Sequence, residues 1–452
     1  MNITLFAVRL VALYTIATPT FAVVGAEKYS LIGSTLTPVG AEISGNIEGT
    51  IPAWSGGLPL NAGGIINGFR ADPYAGETPL FVIDASNYTQ YADNLTPGHV
   101  AMFKRYPNTY KMPVYTSHRS AGVPTSLAVD VKYNALNTRL VEDGNGLQDF
   151  KTAIPFPLPA NGLEVIWNHI ARYRAGSLKR QTTTLVPQPS GQFTPVNGVE
   201  YFSYADNVTD YKPGEKTNIL FYYKSLTTEP ARMAGGVLLV HETLNQVKEP
   251  RMAWFYSAGQ RRVRRAPQVA YDGAAGNTEG LKTSDGLELF NGAPDRYDWK
   301  LEGKREIYIP YNSYRMGASD VKYKDLATLE HLNPQYARYE LHRVWEVTAT
   351  LKNSERHIYA KRSIFIDEDS WTIALADHYD SRGTLWRVGE AHLQYFYDVQ
   401  ATFQTPEVIY DLIAGRYVAT GLINERSNAY DFSYRAAKSD YTPAALRSQG
   451  IR

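Results

Sequence analysis

The amino-acid sequence predicts a mainly β (α+β) protein organised around a strongly curved antiparallel sheet. Three observations predict it. From His342 to Val399, apolar and polar residues alternate in four successive runs separated by short polar turns, the pattern of an antiparallel meander with one apolar face. From about residue 181 onward, strand-like runs replace the helical and proline-punctuated patterns that precede them. The resulting count of roughly ten to twelve strands exceeds what an open twisted sheet holds flat, so the sheet must curl.

The chain begins Met1-Asn2, continues with an apolar run from Ile3 to Ala17 interrupted by Arg9, and reaches Thr20-Phe21-Ala22. A short apolar core ending in small residues reads as a secretory signal peptide, residues 1–22, cleaved after Ala22, with Ala26 as a second cleavage point. No later stretch approaches ~18 unbroken apolar residues, so no transmembrane helix is expected. Residues 23–180 read as an N-terminal arm and helical cover. The arm, 23–85, is rich in Gly, Pro and Asn. Helices are expected at Asn87–Leu95, at Pro97–Arg105 (Thr96 as cap, Pro97 in the first turn), at Ser126–Glu142 and at Leu163–Arg174. The last carries Val165, Ile166, Trp167 and Ile170 on one side and Gly176 just past its end.

Residues 181–452 read as the sheet domain. Strands are expected at Thr182–Val186, Gly198–Ala205, Thr217–Leu226, Gly235–Leu244, Arg251–Ser257 and Gln260–Arg264. A long Gly/Asn/Asp-rich connection, 266–299, precedes another strand at Lys304–Pro310 and a short helix at Leu326–Leu332. The meander follows, and Val408–Leu412 with Arg416–Asn424 would add an edge hairpin.

Composition bounds the chemistry. With 44% hydrophobic and 20% charged residues the chain can bury a sizeable core, and a net charge of +1 gives no electrostatic reason to expect nucleic acid as a partner. The absence of cysteine excludes disulfides, thiolate metal sites, a cysteine nucleophile and a lipid anchor on an N-terminal cysteine. An exported chain of this kind is expected in the periplasm, soluble and not lipid-anchored. No nucleophile elbow, zinc-protease motif or phosphate-binding loop is present, and nothing calls for a cofactor or metal. His118, His169, His331, His378 and His392 could meet in space, which spacing cannot show. Asp367-Glu368-Asp369 could hold calcium through oxygen ligands, but it also sits where a hairpin turn is required, and a solvated turn accounts for it better.

Two groups remain as binding candidates. Alternation places Arg262 and Arg264 on one face of a strand, where their guanidinium forks suit a lipid headgroup or an acidic partner; charges that discourage edge pairing are the plainer reading. The aromatics Trp254, Tyr256, Trp299, Tyr308, Trp345, Trp371, Tyr395 and Tyr397 fall on or beside expected strands and could line a cavity or fill a core.

Longer strings carry a resemblance. Met252-Ala253-Trp254-Phe255-Tyr256, Arg261 through Pro267, Phe290 through Leu301, and Ile309-Pro310-Tyr311-Asn312 resemble a bacterial family of uncharacterised exported proteins described as outer-membrane lipoprotein-sorting-protein-like. Asp72-Pro73-Tyr74, Arg105-Tyr106-Pro107 and Ser117-His118-Arg119 fit it too. The resemblance implies the architecture of periplasmic lipoprotein carriers, an unclosed barrel over an apolar cavity with helices as a lid, and an association with exporters. It lends no catalytic residues. The expected function is a periplasmic carrier of a lipid or other hydrophobic molecule. An accessory subunit docking to an exporter or an outer-membrane protein, and a lipid or ester hydrolase, are the alternatives.

Overall fold

The computed structural model describes residues 29–449 apart from Lys216 and Val247, so the expected signal peptide lies outside the described residues. Among the described residues sixteen strands pair into one sheet, more than the sequence pattern counts. In chain order they are β1 (Phe81–Ile83), β2 (Met112–Val114), β3 (Ser177–Leu185), β4 (Val196–Tyr204), β5 (Ile219–Glu229), β6 (Val237–Thr243), β7 (Met252–Ser257) and β8 (Arg262–Arg265). Then come β9 (Tyr297–Pro310), β10 (Tyr339–Leu351), β11 (Lys361–Asp367), β12 (Ile373–Tyr379), β13 (Leu385–Phe396), β14 (Ala401–Asp411), β15 (Arg416–Leu422) and β16 (Tyr430–Asp431).

The order in space is β8-β7-β6-β5-β4-β3-β15-β14-β13-β12-β11-β10-β2-β1, with β9 also paired to β10 and β16 to β3. Every pairing is antiparallel except the short one between β2 and β10. Two consecutive meanders are therefore welded side by side through β3 and β15, where Leu185 faces Ala419 and Thr183 faces Leu422. Among the described strands no ladder joins β8 back to the opposite edge, and the curved sheet stays unclosed.

This topology corrects one expectation. The hairpin expected at an edge, β14 and β15, runs through the middle, and all eleven residues of β14 are buried. Its partner β3 lies more than half the chain away, a relationship that local alternation does not encode.

A second correction concerns the meander, which buries both faces rather than one along β11 to β14. Helix α1 (Pro97–Arg105) covers one side, started by the Thr96 hydroxyl, which accepts from the His99 amide at 3.1 Å. Helix α2 (Thr125–Asn137) stops five residues short of the expected end, because Arg139–Val141 turns back to pair with Gly146–Gln148. Helix α3 (Gly162–Ala171) packs on β9 and β10, with Val165, Ile166, Trp167 and Ile170 fully buried. Asn161 caps it, accepting from the Glu164 amide at 3.0 Å. The stretch expected to be a helix at Asn87–Leu95 is a 3₁₀ helix over Tyr88–Asn94, and the short helix expected at Leu326–Leu332 instead lies at Tyr323–Leu326, sharing only Leu326 with that range.

Polar side chains expected on a wet sheet face are instead buried in pairs. Arg387 donates to Asp411 at 3.0 Å, and the Tyr110 and Tyr339 hydroxyls both donate to Glu390 at 2.9 Å. Buried polar groups persist in a core when they find partners of this kind.

Candidate functional site

A cavity of about 450 Å³ opens on the face of the first meander, within the range of small-molecule sites. Its wall follows from strand parity. Phe221, Tyr223, Ser225 and Thr227 of β5 point into it, as do Leu238, Val240 and Glu242 of β6. The ladder sets Tyr223 opposite Val240 and Phe221 opposite Glu242, so the two strands present one continuous surface. Phe255 of β7 stands near the rim, 45% exposed.

The connection expected as an irregular stretch is the cover of this cavity; Val269, Lys282, Leu287 and Asn291 of it face inward. Four charged residues spaced three apart fasten it, each to a different part of the body. Glu279 meets Arg416 at 2.6 Å, Lys282 meets Glu407 at 2.7 Å, and Asp285 meets Arg362 at 2.6 Å and His357 at 3.1 Å. Glu288 accepts from Arg174 at 2.5 Å and is ion-paired with Arg172 at 2.9 Å. Leu281, Leu289 and Phe290 of the same connection are buried in the main core, so apolar contacts hold the cover alongside these ion pairs.

The cavity carries charge, all of it paired. Arg180 and Glu200 meet at 2.6 Å on neighbouring strands, and Arg251 donates to both Glu242 and the Asn291 carbonyl. Burial alone would lower the Arg180 guanidinium; Glu200 outweighs it and holds the charge firmly in place. Burial raises the Glu407 carboxyl, with Lys282 opposing. Burial, then Glu200, keeps the Tyr223 phenol neutral far above the usual range. The inner surface therefore offers an apolar wall with fixed, compensated dipoles.

None of the eight aromatics singled out from the sequence lines this cavity. Trp254 and Tyr256 flank Phe255 and so take the opposite face, where they pack with Tyr222, Tyr441 and Leu446. Trp371 and Trp345 stack at 6.0 Å beside α3, and Trp299 lies against Phe290. Tyr308 belongs with Phe81 and Tyr91, and Tyr395 and Tyr397 form a separate cluster with Tyr314. Parity decides the first pair: a one-residue choice exchanges wall for core.

Arg262 and Arg264 are exposed on β8, the terminal strand. Arg264 faces Phe255 across the ladder, so both stand on the cavity side of the sheet. The five histidines remain apart: His118 stacks on Tyr74, His378 on Tyr359, and His331 meets Tyr106 and Tyr110. His169 accepts from the Ile373 amide at 3.1 Å, and His392 is buried near Glu390. The cavity lining holds Ser225 and Ser284 and no histidine.

A different group converges elsewhere. His342 of β10, Asp367 at the end of β11 and Asp369 of the following turn bring one ligand atom each within 4.8 Å of one another. Asp367 and Asp369 belong to the acidic turn read from the sequence; His342, more than twenty residues upstream, joins them only through the β10–β11 register.

Comparison with known proteins fits this architecture to a family. The model of the family described as protein of unknown function (DUF1329) matches residues 82–447. The chain belongs to that family. A relative, the uncharacterized protein PA3922 of Pseudomonas aeruginosa, is 58% identical over 442 residues, covering 98% of this chain and 97% of the relative. Among solved structures, a domain provisionally named outer-membrane lipoprotein-sorting protein from Vibrio parahaemolyticus is similar with TM-score 0.44 and 12% identity, over 63% of this chain and 98% of that one. A DUF1329 family protein from Desulfovibrio piger is similar with TM-score 0.41 and 12% identity, over 60% of this chain and 91% of that one. Among the described residues, no helix of this family member is long and apolar enough to cross a membrane.

Proposed function

We propose that the chain is a periplasmic binding or carrier protein for a lipid or other hydrophobic small molecule. The observation that carries this reading is the cavity of about 450 Å³ between the first meander and its ion-paired cover. The apolar part of the ligand lies against Phe221, Tyr223, Leu238, Val240 and Leu287, and its removal from water supplies about 25 cal/mol per Å². The polar end sits at the rim near Phe255, where Arg262 and Arg264 offer headgroup contacts. Export through the 1–22 signal peptide places the mature chain in the periplasm. Release of cargo needs a moving part, and the 266–291 cover takes that role rather than the helices.

Native mass spectrometry of the full chain, purified from the periplasm without detergent, tests this. A bound species lost on organic extraction, and absent from a Val240→Trp variant with unchanged circular dichroism, is the expected result. A lipid that persists in that variant would place the ligand outside this cavity. Failure of the protein to retain or take up any amphiphile would remove the carrier reading.

A further inference from the structure

The acidic turn between β11 and β12 is charged in a way that hydrogen bonding does not settle. Glu368 is ion-paired with Arg343 at 2.7 Å and Lys304 at 2.8 Å, and Asp369 with Arg119 at 2.6 Å. Glu340, two residues before His342 on the same face of β10, meets Arg338 at 2.6 Å. Asp367 is different. It is fully buried, and both hydrogen bonds it receives, from the Ser370 amide at 3.0 Å and hydroxyl at 2.6 Å, go to Oδ2. Oδ1 has no partner and no cationic side chain pairs with this carboxylate among the described residues. A buried carboxylate left this way is costly.

The atoms around it are those a cation would use. His342 is 1% exposed and Asp369 is 4% exposed, and both hold a ligand atom within 4.8 Å of the other two. The His342 Nε2 lies 3.2 Å from Glu340 Oε2. Donating there, the ring keeps the lone pair of Nδ1, as in the carboxylate–histidine–metal arrangements that orient an imidazole ligand. A second, independent observation comes from the residue that follows β9. The Tyr311 ring lies 3.9 Å from that of His342, is 1% exposed, and its hydroxyl has no hydrogen-bond partner among the described residues.

We propose that His342, Asp367 and Asp369 bind one divalent transition-metal cation of the zinc class, with Glu340 orienting the imidazole and Tyr311 beside the coordination sphere. One imidazole nitrogen with two carboxylates suits zinc better than magnesium or calcium, which prefer all-oxygen shells. The site joins β10, the β11–β12 turn and, through Tyr311, the end of β9. It is structural: none of the three ligands lines the cavity. Because they are buried, the cation enters as the chain folds.

The full chain, unfolded in guanidinium with chelator, is refolded with and without zinc chloride, desalted and assayed for metal. The expected result is one equivalent of zinc and a melting midpoint higher by several degrees than in the chelator-treated chain. Asp367→Asn, nearly isosteric, and His342→Gln should each lose the bound equivalent and the zinc-dependent shift. The His241→Gln control, whose ring contacts the Tyr441 carbonyl in another cluster, should keep both. Should a ligand variant not fold, the visible spectrum of the cobalt-loaded wild type reports nitrogen and oxygen ligation instead. No stoichiometric zinc in the wild type, or zinc retained by both ligand variants, overturns the site; with the former, an Asp367→Asn chain more stable than wild type would identify Asp367 as a buried neutral acid.

Discussion

Asp377 of β12 reaches into the first turn of α1 and accepts from the Gly98 amide at 2.8 Å. The contact closes the helix over the sheet with no room for a side chain at residue 98, because a Cβ there would lie 2.0 Å from Asp377 Oδ1 and 2.9 Å from Val388 Cγ1.

Gly98→Ala is the first prediction. At an open helical position alanine would gain about 1 kcal/mol over glycine. Here the collision dominates, and urea unfolding should show a loss of about 1–3 kcal/mol. An unchanged or raised midpoint would mean that α1 does not sit this close to β12.

The second prediction follows from the Asp377 carboxyl, which burial pushes up to about 7 against the opposing Gly98 amide and His99. A carboxyl raised on folding keeps its proton in the folded state while the unfolded chain has lost it. Its contribution therefore falls as pH rises from the ordinary carboxylate value, ~4, to about 7, and stays low above that. Asp377→Asn should match the wild type near pH 4 and exceed it at pH 8 by about 2–4 kcal/mol. Equal pH profiles for the two proteins would count against a buried neutral carboxyl.

Two fasteners of the cover should behave differently. Glu288 is 12% exposed and ties two buried arginines, whereas the Glu279 side chain is 49% exposed. Glu288→Gln should cost about 3–5 kcal/mol and Glu279→Gln under about 1 kcal/mol. Hydrogen exchange across residues 266–291 should rise sharply only in the first. Burial would raise the Glu288 carboxyl, but Arg172 and Arg174 outweigh it and hold it well below the usual range. The tie is thus fully present above the unfolded carboxylate value and lost on acidification, so cover exchange should quicken in acid.

Trp371 supplies a fourth. Its indole nitrogen donates to the Val39 carbonyl at 2.9 Å, pinning the N-terminal arm to the β11–β12 turn. Trp371→Phe should lose about 1–3 kcal/mol and make the arm a site of early proteolysis. An arm no more sensitive than in the wild type would place its anchorage elsewhere, such as the Arg343 bond to the Ser44 carbonyl.

The sequence made the strands legible because alternation is a local signal: the runs containing Val347, Ile364, Leu375 and Leu393 all fall on observed strands. Pro97–Arg105 was readable to the residue from its threonine cap and proline start. What alternation could not supply was which neighbours a strand takes and which of its faces meets a cavity. Trp254 attracted attention by its size, while Phe255, one residue on, faces the cavity. The roof was hidden for another reason. Residues 266–291 look irregular because their contacts are distant in sequence: Glu279, Lys282, Asp285 and Glu288 pair with residues on other elements, and Leu281, Leu289 and Phe290 reach the main core. His342 carried no sign of its acidic neighbours until register placed it beside them.

The seam between β3 and β15 bears on how the protein is made. A chain emerging from its N-terminus completes β3 to β8 early, yet the strand that shields the flank of β3 is among the last to appear. Until then a long half-sheet exposes unpaired backbone amides and carbonyls, the template on which chains aggregate. Contacts so distant in sequence also form slowly. Maturation should accordingly depend on escort by holding factors, and truncation within the last thirty residues should be less harmful than truncation before Leu422.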